Sequence, residues 1–69
     1  MTFADTVLNI RKRLHLSQQA FAKELGVSYS TVNRWENDNQ KPSSLALKIF
    51  EEYCIRRSLV LPKKYDEIR

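Results

Sequence analysis

Glycine occurs once in the 69 residues, proline twice, and cysteine and histidine once each. Each scarcity excludes something. A single thiol, Cys54, rules out an internal disulfide and suits a reducing compartment, where it reads as a small buried hydrophobe. One histidine, His15, and one cysteine cannot supply the ligand spacing of a zinc site, and a solitary glycine cannot build a glycine-rich phosphate loop. No nucleophile–base pairing stands out, so catalysis is not expected, nor is a cofactor or a metal. His15 itself reads as a turn or surface residue. No apolar run approaches the ~18–20 residues that span a bilayer, so no membrane partner is expected. The first residues lack the pattern of a secretory signal, and the expected location is the cytoplasm.

What is present fits one small domain. A core of this size contributes a net stability on the order of 3–5 kcal/mol, and a deep cleft between two lobes is not expected. The hydrophobic fraction is 42% and the charged fraction 29%, ordinary for a globular chain. Twelve Lys and Arg against eight Asp and Glu give a net charge of +4. That excess favours polyanionic partners without identifying them.

Apolar residues recur at helical spacing, with no alternating strand pattern, no repeats and no low-complexity stretch. Four helices are predicted. The first spans roughly residues 3–14, capped by Thr2 with Asp5 completing a capping box. Its stripe is Phe3, Val7, Ile10 and Leu14, and Arg11, Lys12 and Arg13 favour its C-terminal dipole. The second starts at the N-cap Ser17 and ends before Gly26; Leu16 and Phe21 stand in staple positions, and Ala20, Phe21 and Leu25 form the inner face. Gly26 follows the helix where a positive φ is wanted. The third starts at the N-cap Ser28, stapled by Val27 and Val32. So short a link between two helices forces a sharp crossing, the mark of a helix-turn-helix. After a polar loop from Asn37 to Pro42, Ser43 or Ser44 caps a fourth helix with the stripe Leu45, Ile49, Phe50, Tyr53 and Cys54. Leu47 and Ile55 suggest a second covered face. Leu59 to Pro62 then reads as extended, and Lys63 to Arg69 as a loose charged tail. The expected core is Val7, Ile10, Leu14, Leu16, Phe21, Leu25, Val32, Trp35, Leu45, Ile49 and Phe50.

On the third helix, Val32 and Trp35 mark the buried side. The opposite side carries Ser30, Asn33, Arg34 and Asn37, with Tyr29 on a flank. Bland helix surfaces are rich in Glu and Lys. Here the groups are those that read base edges: Asn pairs with adenine, Arg with guanine, and Ser or Tyr donates or accepts. A short helix presenting them fits the major groove. Phosphate contacts should flank the reader. Gln18 opens the second helix, where backbone N–H groups favour an anion. Arg11, Arg13, Asn37, Gln40 and Lys41 are further candidates.

The run Leu16-Ser17-Gln18-Gln19-Ala20-Phe21-Ala22-Lys23-Glu24-Leu25-Gly26-Val27-Ser28, then Thr31-Val32-Asn33-Arg34-Trp35-Glu36, then Lys41-Pro42-Ser43, closely resembles the Cro/C1-type (XRE, lambda-repressor-like) helix-turn-helix family. The resemblance runs from about Asp5 to Tyr53. It implies an all-α bundle of four to five short helices, with a DNA-binding domain over 1–58 and a tail over 59–69. It implies a nucleoid-associated regulator, most simply a repressor, binding double-stranded DNA as a homodimer on an inverted-repeat operator. Gln18 matches the phosphate-clamping glutamine of the family. Ser28, Tyr29, Ser30, Asn33 and Arg34 match positions from which its reading helix contacts DNA, and Arg11 and Glu36 match a family pair. Asp38 stands where the family often has glycine, and the extended Leu59–Pro62 replaces the usual fifth helix. The alternative is an antitoxin-like or adaptor-like module of the same fold, with a protein partner at the tail.

Overall fold

Hydroxyl side chains start all four helices. The computed structural model describes residues 2–37 and 41–62. They form α1 (Phe3–Arg13), α2 (Gln18–Leu25), α3 (Tyr29–Asn37) and α4 (Ser44–Arg56). Thr2 Oγ1 accepts from the Asp5 N–H at 3.1 Å, and the Thr2 N–H donates to Asp5 Oδ2 at 3.4 Å, closing the capping box. Ser17 Oγ accepts from the Ala20 N–H at 3.0 Å, and Ser28 Oγ from the Thr31 N–H at 3.2 Å. Of the two candidates at α4, Ser43 is the cap, accepting from the Ala46 N–H at 3.1 Å. Each of these bonds satisfies a backbone donor that the helix cannot pair internally.

Three helices also end in one way. Behind α2, the Gly26 N–H reaches Lys23 O at 3.3 Å and the Val27 N–H reaches Ala22 O at 3.0 Å. This is a Schellman closure with Gly26 left-handed at φ 78°. His15 and Ser58 take the same place behind α1 and α4, at φ 58° and 56°. There Leu16 N–H donates to Arg11 O at 3.2 Å and Leu59 N–H to Cys54 O at 2.8 Å. An apolar residue, Leu16, Val27 or Leu59, follows each left-handed position and packs on the core. His15 is therefore a backbone hinge with an exposed side chain.

α3 packs across both α1 and α2, and α4 closes against α2. The centre is aromatic: Phe3 meets Trp35 and Phe50 edge-to-face at 5.5 and 5.4 Å, and Phe21 meets Tyr53 at 5.4 Å. Val7, Phe21, Val32 and Phe50 have no exposed surface. Ala22 and Ala46 join them, whereas Ala20 is only half-buried. Thr6 is buried too, and its hydroxyl donates back to Thr2 O at 2.8 Å. Leu14, Leu16 and Ile49 are half-buried against this centre.

One expected core residue lies outside it. Leu45 is 66% exposed. Steps of four residues drift by about 40° around a helix, so the series read backwards from 53 through 49 to 45 climbs out of the buried face. Phe50, Tyr53 and Cys54 fix that face, and Ala46 occupies the place assigned to Leu45. Beyond α4, Leu59 and Leu61 turn inward while Val60 is 86% exposed. The segment is non-helical to Pro62. Lys63 to Arg69 lie outside the described residues.

Two buried acids make this packing sensitive to alkali. Burial, helped by a 2.6 Å bond donated to Glu24, pushes the Tyr53 phenol from 10.0 up to about 12. Burial, helped by the Glu51 charge, pushes the Cys54 thiol from 9.0 up to about 11. The fold holds both groups protonated where the unfolded chain has released its protons. Stability is therefore complete below pH 9 and falls as pH rises from 9 to 12. Thermal melts across that range should show a steadily falling Tm. Tyr53→Phe should flatten the portion above pH 10. A Tm that stays level to pH 11 would mean that neither proton is held by the fold.

Candidate nucleic-acid interface

α3 owes its exposed ridge to its two buried anchors. Val32 is fully buried and Trp35 8% exposed. With about 100° between residues, Ser30, Asn33, Arg34 and Asn37 must then face away. Ser30, Arg34 and Asn37 are exposed and Asn33 is half-buried. Tyr29 stands on the flank, 53% exposed, over a shallow hollow walled by Gln19 and Lys23 of α2.

A chain of polar bonds ties this ridge to α1 and α2. Arg11 grips Glu36 with two N–H donors, Nε to Oε2 at 2.6 Å and Nη2 to Oε1 at 3.0 Å. Its Nη1 donates to Leu16 O at 2.9 Å, which pins the turn into α2. Gln18 Nε2 donates to Glu36 Oε1 at 2.9 Å, and Gln18 Oε1 accepts from Asn33 Nδ2 at 3.3 Å. Asn37 Nδ2 donates to Asn33 Oδ1 at 3.0 Å and to Asn33 O at 2.8 Å. The Arg11 and Glu36 side chains are 16% and 5% exposed. A pair this buried needs all of its hydrogen bonds. The Glu36 bond raises the Arg11 guanidinium further above its ordinary value, against the lowering that burial alone would cause.

Arg11 is thus bound within the protein, and Gln18 is bound within it while standing at the first turn of α2. Ser28 is occupied as well: besides capping α3, its hydroxyl shares a 2.9 Å bond with the Thr31 hydroxyl. Arg34 and Lys41 line a common depression of about 200 Å3 with Ser43 at the start of α4. Both are exposed there, beside a helix N-terminus that favours anions. Arg13 is not brought to this place. It lies about 200° around α1 from Arg11, beside Val60 and Pro62. Gln40 and Asp38 lie outside the described residues.

The link from Gln18 through Asn33 to Asn37 was not legible in the sequence. Its only signal is that Asn33 and Asn37 are four apart on one helix, a spacing that brings side chains together. Gln19 and Lys23, which lie beside Tyr29, are not among the expected site residues. Their signal is the i, i+4 step on the outer face of α2.

Residues 7–58 match a family profile described as helix-turn-helix. Among curated proteins, the Type II methyltransferase M.SsoII of Shigella sonnei is 42% identical over 48 residues. The match covers 65% of this chain and 13% of that protein, so the chain spans only a small part of this relative. No solved structure gives a significant match. No helix among the described residues is long and apolar enough to cross a membrane.

Proposed function

We propose that this chain, which belongs to the Cro/C1-type helix-turn-helix family of DNA-binding domains, reads a duplex DNA sequence by placing α3 in the major groove. The observation that carries the reading is the exposed ridge of Ser30, Asn33, Arg34 and Asn37, held in register by the Arg11–Glu36–Gln18 bonds. Arg34 reads guanine and Asn33 adenine, with Ser28, Tyr29 and Ser30 alongside. Gln18 and Lys41 hold phosphates on either side, and Asn37 and Gln40 assist. Two copies occupy an inverted repeat, and the biological role is transcriptional regulation in the cytoplasm, most simply repression by occupancy. The likeness to 13% of a Type II methyltransferase is in keeping with a unit of this kind also occurring inside a larger protein.

Selection from a random duplex pool at near-physiological salt tests this directly. An enriched inverted repeat is the expected result, and its half-site spacing gives the dimer geometry. If each subunit neutralises roughly five or six phosphates, affinity should fall steeply as salt rises. Lys41→Ala should weaken all sequences about equally and lower that slope by ~1, whereas Arg34→Ala should relax preference at one position. No enrichment together with a flat salt response would move the assignment to a protein-interaction module.

A further inference from the structure

The outer face of α4 is left uncovered and is not bland. Leu45 and Ile55 are 66% and 75% exposed, and Lys48 and Glu52 between them are exposed as well. At about 100° per residue these four fall within roughly 80° of arc, directly opposite the buried Phe50 side. Neither Lys48 nor Glu52 has an ion-pair partner among the described residues. Large aliphatic side chains with opposite charges between them describe half of an interface.

Their spacing names the other half. In an antiparallel helix pair with a two-fold axis at the level of Phe50, residues equally far before and after that level face each other. Leu45 stands five residues before Phe50 and Ile55 five after. Lys48 stands two before and Glu52 two after. We propose that α4 is the self-association surface of this protein: its partner is a second copy, with Leu45 against Ile55 and Lys48 against Glu52 of the other chain, each contact made twice. A two-fold interface must be self-complementary in this way. A single row of apolar and charged side chains buries little area, so the association is weak and concentration-dependent. The inference deepens the dimer named above but stands on α4 alone and requires no DNA.

Sedimentation equilibrium without DNA, at up to about 0.5 mM chain, resolves a dissociation constant in the high-micromolar range. The wild-type protein should move toward twice the monomer mass. Lys48→Glu and Glu52→Lys each place like charges opposite one another twice, and each should weaken association by about tenfold or more. The decisive sample is an equimolar mixture of the two variants. In the mixed dimer both charge pairs are restored across the interface, while the like charges within each helix remain. Mixing should therefore recover wild-type association. Far-UV melts of each variant confirm that folding is unchanged. A wild-type protein that stays monomeric at the highest concentration overturns the proposal. So does association that ignores the charge reversals or is not rescued by mixing, since another surface, such as the segment around Val60, would then be responsible. Binding of each variant to a single half-site, measured in parallel, should stay at the wild-type level. Loss there for every variant and the parent alike would count against the DNA reading and not against the α4 surface.

Discussion

Phe50→Ala should leave the chain mostly unfolded at 25 °C. The Phe50 ring has no exposed surface and meets Phe3 edge-to-face at 5.4 Å, and Phe3 in turn meets Trp35 at 5.5 Å. Removing it deletes the ring through which α4 holds Phe3 of α1, the side chain that in turn holds Trp35 of α3. Truncating a buried Phe to Ala costs about 3–5 kcal/mol. That is comparable with the whole net stability, roughly 3–5 kcal/mol, that a core of this size supplies. Few other single changes in this chain are expected to remove as much. Far-UV circular dichroism with a thermal or urea melt reads the result. Ile55→Ala is the control, because its side chain is 75% exposed and such a change should shift stability by no more than about 0.5 kcal/mol. A Phe50→Ala protein that melts within a few degrees of its parent would mean that the three-ring contact does not hold the bundle together.

The features that were legible in the sequence are those whose physics is local. A hydroxyl before an apolar-periodic run favours a helix start, so Thr2, Ser17 and Ser28 could be placed as caps from the sequence pattern, while the fourth cap stayed open between Ser43 and Ser44 until the structure chose Ser43. Gly26 after Leu25 marked the sharp turn, because a left-handed residue is easiest for glycine. His15 and Ser58 occupy the same conformation with side chains attached, and residue type alone does not reveal them. The apolar residue that follows each turn was the better signal. The phase of a stripe is also a local property, but the four-residue step from Ile49 back to Leu45 imitated one while drifting off the core. The side-chain partners of the interface could not be read locally. Glu36 meets Arg11 from 25 residues away, and Gln18 meets Asn33 from 15. Family resemblance implied the first pair and the geometry alone reveals the second. Arg13 follows Arg11 by two residues, yet the helix turns it about 200° away, beside Val60 and Pro62, a separation that residue type does not reveal.

Glu36→Ala should cost the protein both stability and its sequence discrimination, and the two losses can be separated. The carboxylate accepts two bonds from Arg11 and one from Gln18, with only 5% of its side chain exposed. Removing one member of a fully buried pair costs about 3–5 kcal/mol, because the surviving charge loses its partner. The Arg11 side chain retains 16% exposure and its bond to Leu16 O, so water relieves part of the penalty and a loss of roughly 2–3 kcal/mol is expected. Arg11→Met with Glu36→Leu removes both charges and should melt near the parent, since apolar replacement of a buried pair is often neutral. That double variant isolates the second effect. Without Glu36, the Gln18 amide keeps only its 3.3 Å bond with Asn33 and loses the one that fixes it to the body of the protein, so Asn33 is oriented less firmly, by Asn37 and an unanchored Gln18. Base discrimination by a bidentate amide is worth roughly 1–3 kcal/mol and depends on that orientation. The double variant should therefore bind duplex DNA with its salt dependence intact but with preference at the Asn33-read position reduced by about tenfold. Competition binding between the selected site and a substituted one reads the change. Full discrimination in a stably folded double variant would show that α3 is oriented by its core anchors, Val32 and Trp35, and that the buried pair serves only to satisfy itself.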